Sequence, residues 1–129
     1  MNRAQVEAVL YFYTQIDSEI NLLHQMKRRT AAFYPSSDLP PEIEKELDRQ
    51  EHQRRQLSAV KTEIVAGLEK LEPVTKSIIF YYYVLKKNWQ DISRIVHYSP
   101  RSCQYKRVEG INQLTEIYDQ SELLQNFKD

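Results

Sequence analysis

The chain has 129 residues but a single cysteine, only two glycines and no excess of charge, with 18 Lys and Arg against 18 Asp and Glu. With Cys103 alone no intrachain disulfide can form, which excludes a disulfide-stapled secreted domain and makes a reducing compartment the natural setting. Two glycines and five prolines exclude collagen-like and Pro-rich disordered chains, and they argue against an all-β fold, which needs many tight turns. No apolar run approaches the ~20 residues of a membrane span; the longest is Ile78 to Leu85. The opening MNRAQVEAVLYFYTQ lacks the uninterrupted apolar stretch of a signal peptide. These absences predict a soluble intracellular protein of one domain, or of one small domain with a helical extension. A net charge of zero speaks, at first sight, against a nucleic-acid partner.

What is present is helical periodicity. Val6, Val9, Tyr13, Ile16, Ile20 and Leu23 recur in steps of three and four, which predicts an amphipathic helix from about Arg3 to about Ala32. Three prolines between Phe33 and Pro41 make the one clear loop of this half. A second helix should start near Pro41, with Glu42, Glu44 and Glu46 at its positive end. Its seam is a heptad series with a polar middle: Ile43, Leu47, Gln50, Arg54, Leu57, Lys61, Ile64, Leu68 and Leu71. An antiparallel hairpin would pair Val6 with Leu68, Val9 with Ile64 and Ile16 with Leu57, and set Leu23 near Gln50. It would bury its base well and its tip poorly. A third helix is expected from Val74 to about Lys86, apolar on nearly every side, then a short helix from Trp89 to Val96. A further helix, opened by Ser99-Pro100, should run to about Leu114 or slightly beyond. The fold class expected is all-α, a long N-terminal antiparallel hairpin followed by a C-terminal three-helix unit.

The stretch Trp89 to Val108 has the spacing of a helix-turn-helix. Two short helices that cross closely need a small residue at the fifth position, and it is Ser93. Ile92, Val96, Tyr98 and Cys103 stand where such a unit packs apolar side chains. The turn usually carries Gly in a left-handed conformation; His97 stands there. Lys106 occupies a position that is usually apolar, and its stem can pack while its amine reaches out. The second helix presents Arg101, Ser102, Gln104 and Tyr105 on its outer N-terminal side, the part of such a helix that enters the major groove. Arg can be bidentate to guanine and Gln to adenine.

Leu71-Glu-Pro73, the run Ile78 to Tyr83, Trp89-Gln-Asp-Ile92, Tyr98-Ser99-x-Arg101 and Leu114 together resemble region four of bacterial sigma factors. More closely, they are similar to phage and prophage regulators with a sigma-like helix-turn-helix, of the ArpU and RinA type. The resemblance covers roughly residues 71–114. It implies sequence-specific DNA binding and control of phage late genes, by activation, in the cytoplasm of a bacterial host. Carried over by position, Arg101, Ser102, Gln104 and Tyr105 are the expected base contacts. Pro100 stands where sigma factors often have Arg, so a phosphate contact is lost there.

Charge is segregated along the chain. Residues 73–114 carry seven Lys and Arg against Asp91 and Glu109, a net of +5, between a −2 N-terminal stretch and a −3 tail. The expected phosphate contacts are Lys86, Lys87, Gln90, Arg94, Lys106 and Arg107. The domains expected are 1–72, a helical hairpin for dimerisation or partner docking; 73–114, the DNA-binding unit; and 115–129, an acidic amphipathic tail holding Ile117, Tyr118, Leu123, Leu124 and Phe127.

Other features have plainer readings. Tyr81, Tyr82 and Tyr83 suit core and edge packing better than base stacking. Trp89 should pack between helices, and Cys103 should be a small core residue rather than a nucleophile. His24 and His52 could approach across the hairpin, but further metal ligands are missing. With no phosphate loop, no nucleophile with a matching base and no metal spacing, neither enzyme activity nor a cofactor is expected. The expected partners are double-stranded DNA, a second copy of the chain, and host RNA polymerase. Two rival readings are a small terminase subunit for phage DNA packaging and an adaptor that binds polymerase through the hairpin and tail.

Overall fold

A computed structural model describes residues 1–35 and 38–125. It is 84% helical with no strand among the described residues, which is the all-α class that the periodicity predicts. Helices α1 (Arg3–Phe33) and α2 (Pro41–Leu68) are long; α3 (Pro73–Ile79), α4 (Trp89–Val96), α5 (Pro100–Asp119) and α6 (Glu122–Gln125) follow. Phe127, Lys128 and Asp129, counted above in the tail, lie outside the described residues.

Helix α1 begins in a reciprocal cap. The Gln5 N–H donates to Asn2 Oδ1 and the Asn2 N–H donates to Gln5 Oε1, both at 2.9 Å, satisfying two of the donors that every helix start leaves free. Helix α2 opens instead on Pro41, whose missing N–H costs nothing at the first helical position. The two helices pack antiparallel. Lys61 Nζ meets Asp17 Oδ1 at 2.5 Å near the base, while Leu23 and Lys27 share a small cavity with Gln50 and Glu51 farther out. As numbering rises along α1, that of its neighbours on α2 falls.

The principal core lies at the base of this pair. Val6, Val9, Leu10 and Ile16 of α1 and Ile64 and Leu68 of α2 are buried with Leu71, Ile79 of α3, Ile111, Leu114 and Tyr118 of α5 and Leu124 of α6. This core crosses residues 72 and 114, because α5 continues to Asp119 and brings Tyr118 under α2. The Tyr118 hydroxyl donates to the Ile64 carbonyl at 2.9 Å. Both glycines serve close approach rather than turns. A Cβ on Gly67 would lie 2.3 Å from Tyr118 Cε1, and one on Gly110 would lie 2.7 Å from Thr75 Cγ2.

The helix expected over Val74 to Lys86 is not one regular helix. After Ile79 it widens into a π-helical turn, Phe80–Val84, and Lys86 closes it with φ 55°. The Lys87 N–H donates to the Tyr81 carbonyl, six residues back, at 2.9 Å, closing the widened turn around the left-handed Lys86. Nor is the run apolar-buried on every side: Ile78 and Ile79 are fully buried, but Phe80 and Leu85 are exposed. The two isoleucines serve different clusters, Ile79 the principal core and Ile78 a smaller one with Ile92 and Cys103. A wide turn shifts the phase of the side chains that follow, and here it accompanies the placing of Tyr82 against α4 and Tyr83 against α1.

Candidate nucleic-acid interface

Helix α4 starts at Asn88, whose Oδ1 accepts the Asp91 N–H at 2.8 Å, and it stops after eight residues at His97. His97 has φ 64° and ψ 36°, the left-handed conformation that reverses the chain between two crossing helices. A β-branched residue there would be strongly disfavoured; His bears the strain at modest cost. The turn is tied from inside, since the Ser93 hydroxyl donates to the Tyr98 carbonyl. A larger residue at 93 would lose this bond and collide with the turn. Ser99 then caps α5, its Oγ accepting the Ser102 N–H at 3.1 Å, with Pro100 at the first helical position.

The small cluster beneath this turn is Ile78, Ile92 and Cys103, with Val74, Tyr81, Tyr82, Trp89 and Val96 half-buried around it. Trp89 stacks on Tyr82 with ring centroids 4.4 Å apart and planes at 18°. Burial pushes the Cys103 thiol up from its ordinary pKa, against a weaker effect of Lys106, so the thiolate is disfavoured. Tyr98, expected among the packed residues, is instead exposed, and the Lys106 amine lies 5.2 Å from its ring centroid. The turn directs its ring outward while its carbonyl takes the inward bonds.

The four expected base contacts share the outer face of α5. Arg101, Ser102, Gln104 and Tyr105 are all exposed, and Tyr105 keeps 73% of its surface. Arg101, Ser102 and Tyr105 line an open concavity together with Tyr98, Lys106 and Glu109. Ser102 Oγ also accepts a hydrogen bond from Ser99 Oγ at 2.9 Å, so it doubles as part of the cap. The face offers a guanidinium fork, a carboxamide, a hydroxyl and an aromatic ring. These are groups that match base edges and the thymine methyl.

The six expected phosphate contacts divide. Lys86, Gln90 and Arg94 are exposed; Arg94 carries an ion pair to Asp91 at 3.0 Å, and the Lys86 amine sits 5.1 Å from the Tyr11 ring centroid on α1. Lys87 and Lys106 are half-buried, with Lys106 Nζ 4.0 Å from Glu72. Arg107 turns inward. Its guanidinium lies 5.4 Å from the Tyr82 ring and 5.8 Å from that of Trp89, and Nη1 donates to the Tyr83 hydroxyl at 3.2 Å.

The Tyr83 hydroxyl in turn donates to Glu7 Oε2 at 2.9 Å. Arg107, Tyr83 and Glu7 thus link α5 to α1, a connection that composition does not disclose. Burial pushes the Tyr83 pKa up to about 12, the bond to Glu7 adding to the rise and Arg107 opposing it. One signal in the sequence did point to Arg107: it stands four residues after Cys103 and four before Ile111, on the packed face of α5.

His24 and His52 are both exposed, and among the described residues no group of three or more His, Cys, Asp or Glu is placed to hold a metal ion. No described helix is long and apolar enough to cross a membrane. No known family model, curated protein or solved structure matches the chain.

Proposed function

We propose that this protein is a sequence-specific double-stranded-DNA-binding transcription regulator of a phage or prophage, acting in the bacterial cytoplasm, with α5 as its recognition helix. The observation that carries the reading is the α4–turn–α5 unit. A left-handed residue lies at the turn, a serine hydroxyl ties it from beneath, and Arg101, Ser102, Gln104 and Tyr105 are exposed on one face beyond the cap. The N-terminus of α5 presents the positive end of a helix dipole, which suits a backbone phosphate. Lys86, before α4, and Arg94, within it, are further exposed cations of this part of the chain. One such unit has a small footprint, so two copies on repeated half-sites, about one helical turn apart, supply affinity and specificity together. Late-gene activation and contact with host polymerase belong to the same proposal, on the sigma-like motif alone.

Selection of bound duplexes from random DNA tests it. The chain should enrich a defined motif, and Arg101→Ala with Gln104→Ala should abolish the enrichment while leaving helix content unchanged. Enrichment that survives the double substitution removes α5 as the reader. Binding with no salt dependence, or no binding at all, removes DNA as the partner.

A further inference from the structure

Helix α1 has a second seam, on the side away from α2. Tyr11, Ser18, Leu22, Met26, Arg29 and Phe33 are all exposed and recur at helical spacing, with Gln15 completing the steps of three and four. Phe33 keeps 78% of its surface and Leu22 and Tyr11 54% each, a large apolar exposure for a row of side chains on one helix face.

We infer that this seam is a two-fold interface between two copies of the chain, with their α1 helices antiparallel and crossing at Leu22. The seam is complementary to itself about that residue. An antiparallel pair centred on Leu22 sets Met26 of one copy over Ser18 of the other, large on small. Gln15, Ser18, Glu19 and Leu22 already line a shallow concavity there. The same register sets Phe33 beside Tyr11, ring against ring. It also brings Arg29 opposite Gln15 and within about one turn of Glu19, and neither Arg29 nor Glu19 has an ion-pair partner among the described residues. Leu22 meets its own copy on the axis and every other contact occurs twice, as a two-fold interface requires.

The contact from Tyr11 to Phe33 is about 33 Å long and one helix wide. That makes a small interface, suited to a dimer that strengthens on adjacent DNA half-sites. It ends at Tyr11, whose ring also carries the Lys86 amine, so the seam adjoins the reading head. The inference deepens the two-copy arrangement of the proposed function, and its test needs no DNA.

Sedimentation of the full chain at about 100 μM should give a species of twice the 15.4 kDa chain mass. Leu22→Arg should weaken the dimer about 100-fold with helix content unchanged. Cysteine cross-linking tests the register, with buried Cys103 left in place. Leu22→Cys should form a disulfide with its own copy. Gln15→Cys and Arg29→Cys should each fail alone and cross-link when mixed. Self-cross-linking of Gln15→Cys means parallel helices and overturns the register; a monomer at this concentration, or a dimer indifferent to Leu22→Arg, overturns the interface. A monomer that still selects a DNA motif defeats this inference alone, whereas a dimer that selects none defeats only the proposed function.

Discussion

The two ends of the α1–α2 pair are built from the same kind of helix and held by different forces. At the base, Val6, Val9, Leu10, Ile16, Ile64 and Leu68 are buried with residues from α3, α5 and α6. At the far end, beyond Ile20 and before Leu57, only Leu23 and Gln50 reach burial among the described residues. There the visible interactions are along the surface of one helix: Glu46 with Arg49 and Glu51 with Arg54, each at 2.5 Å. The first pair is exposed and the second half-buried, and local pairs along one helix contribute little, whereas burial of a whole aliphatic side chain is worth about 1.5–3 kcal/mol. A helix pair that projects beyond its core keeps its shape by local preference and becomes free to meet another surface.

The sharpest way to break this contrast is to delete side chains at both ends. Ile64→Ala should cost about 3–4 kcal/mol in urea unfolding, since its site is fully buried among elements that cannot all collapse onto it. Leu47→Ala, half-buried in the far part, should cost less than about 1.5 kcal/mol. Equal costs would mean that the far end carries a core of its own.

A smaller effect of opposite sign is expected at Gln50. It is buried, its amide donates to Glu46 at 3.2 Å, and its Oε1 has no hydrogen-bond partner among the described residues. Gln50→Leu should stabilise the chain by about 1 kcal/mol, because an unmet polar atom is replaced by an apolar one in a seam position. Loss of stability on that change would show the carboxamide to be satisfied after all.

The smallest expected effects are those of pH, and the two ends should respond on opposite sides. Arg49 holds the Glu46 carboxyl down to about 2, with Gln50 helping, and Arg54 does the same for Glu51. Folded values below the unfolded 4.5 mean that this contribution is present above pH 4.5 and is lost as pH falls toward 2. Amide protection in residues 41–57 should therefore drop first in acid. At the base, Tyr83 is raised from 10 to about 12. Its contribution is present below pH 10 and is lost as pH climbs toward 12, when the unfolded chain ionises first. Tyr83→Phe should flatten that alkaline arm of the stability curve; an unchanged arm would assign it elsewhere, for example to buried Tyr118, whose pKa is also raised by burial.

Much of the fold is legible because the signals are local. The run of spaced apolar residues from Val6 to Leu23 and the prolines from Pro35 to Pro41 give the ends of α1 and the start of α2 nearly to the residue. Ser99-Pro100 marks α5 in the same way, because a cap and a fixed φ act on the adjacent backbone alone. The outward residues of α5 were legible too, as helical phase follows from the position of Cys103. Tyr98 and Arg107 were not so simply read. A ring at a turn follows the turn's dihedral angles, and a guanidinium on a packed face needs to know which rings meet it.

The sequence by itself determined the all-α class, the main helix starts, the left-handed position at His97 and the exposed face Arg101 to Tyr105. Each depends on hydrogen bonds and dihedral preferences within about one turn of chain. Only the tertiary structure decided that Ile78 and Ile79 serve two different cores, that Gly67 lies under Tyr118, and that Arg107 reaches Glu7 through Tyr83. Those outcomes join residues dozens of positions apart, where packing of large against small side chains, rather than local preference, selects the partner.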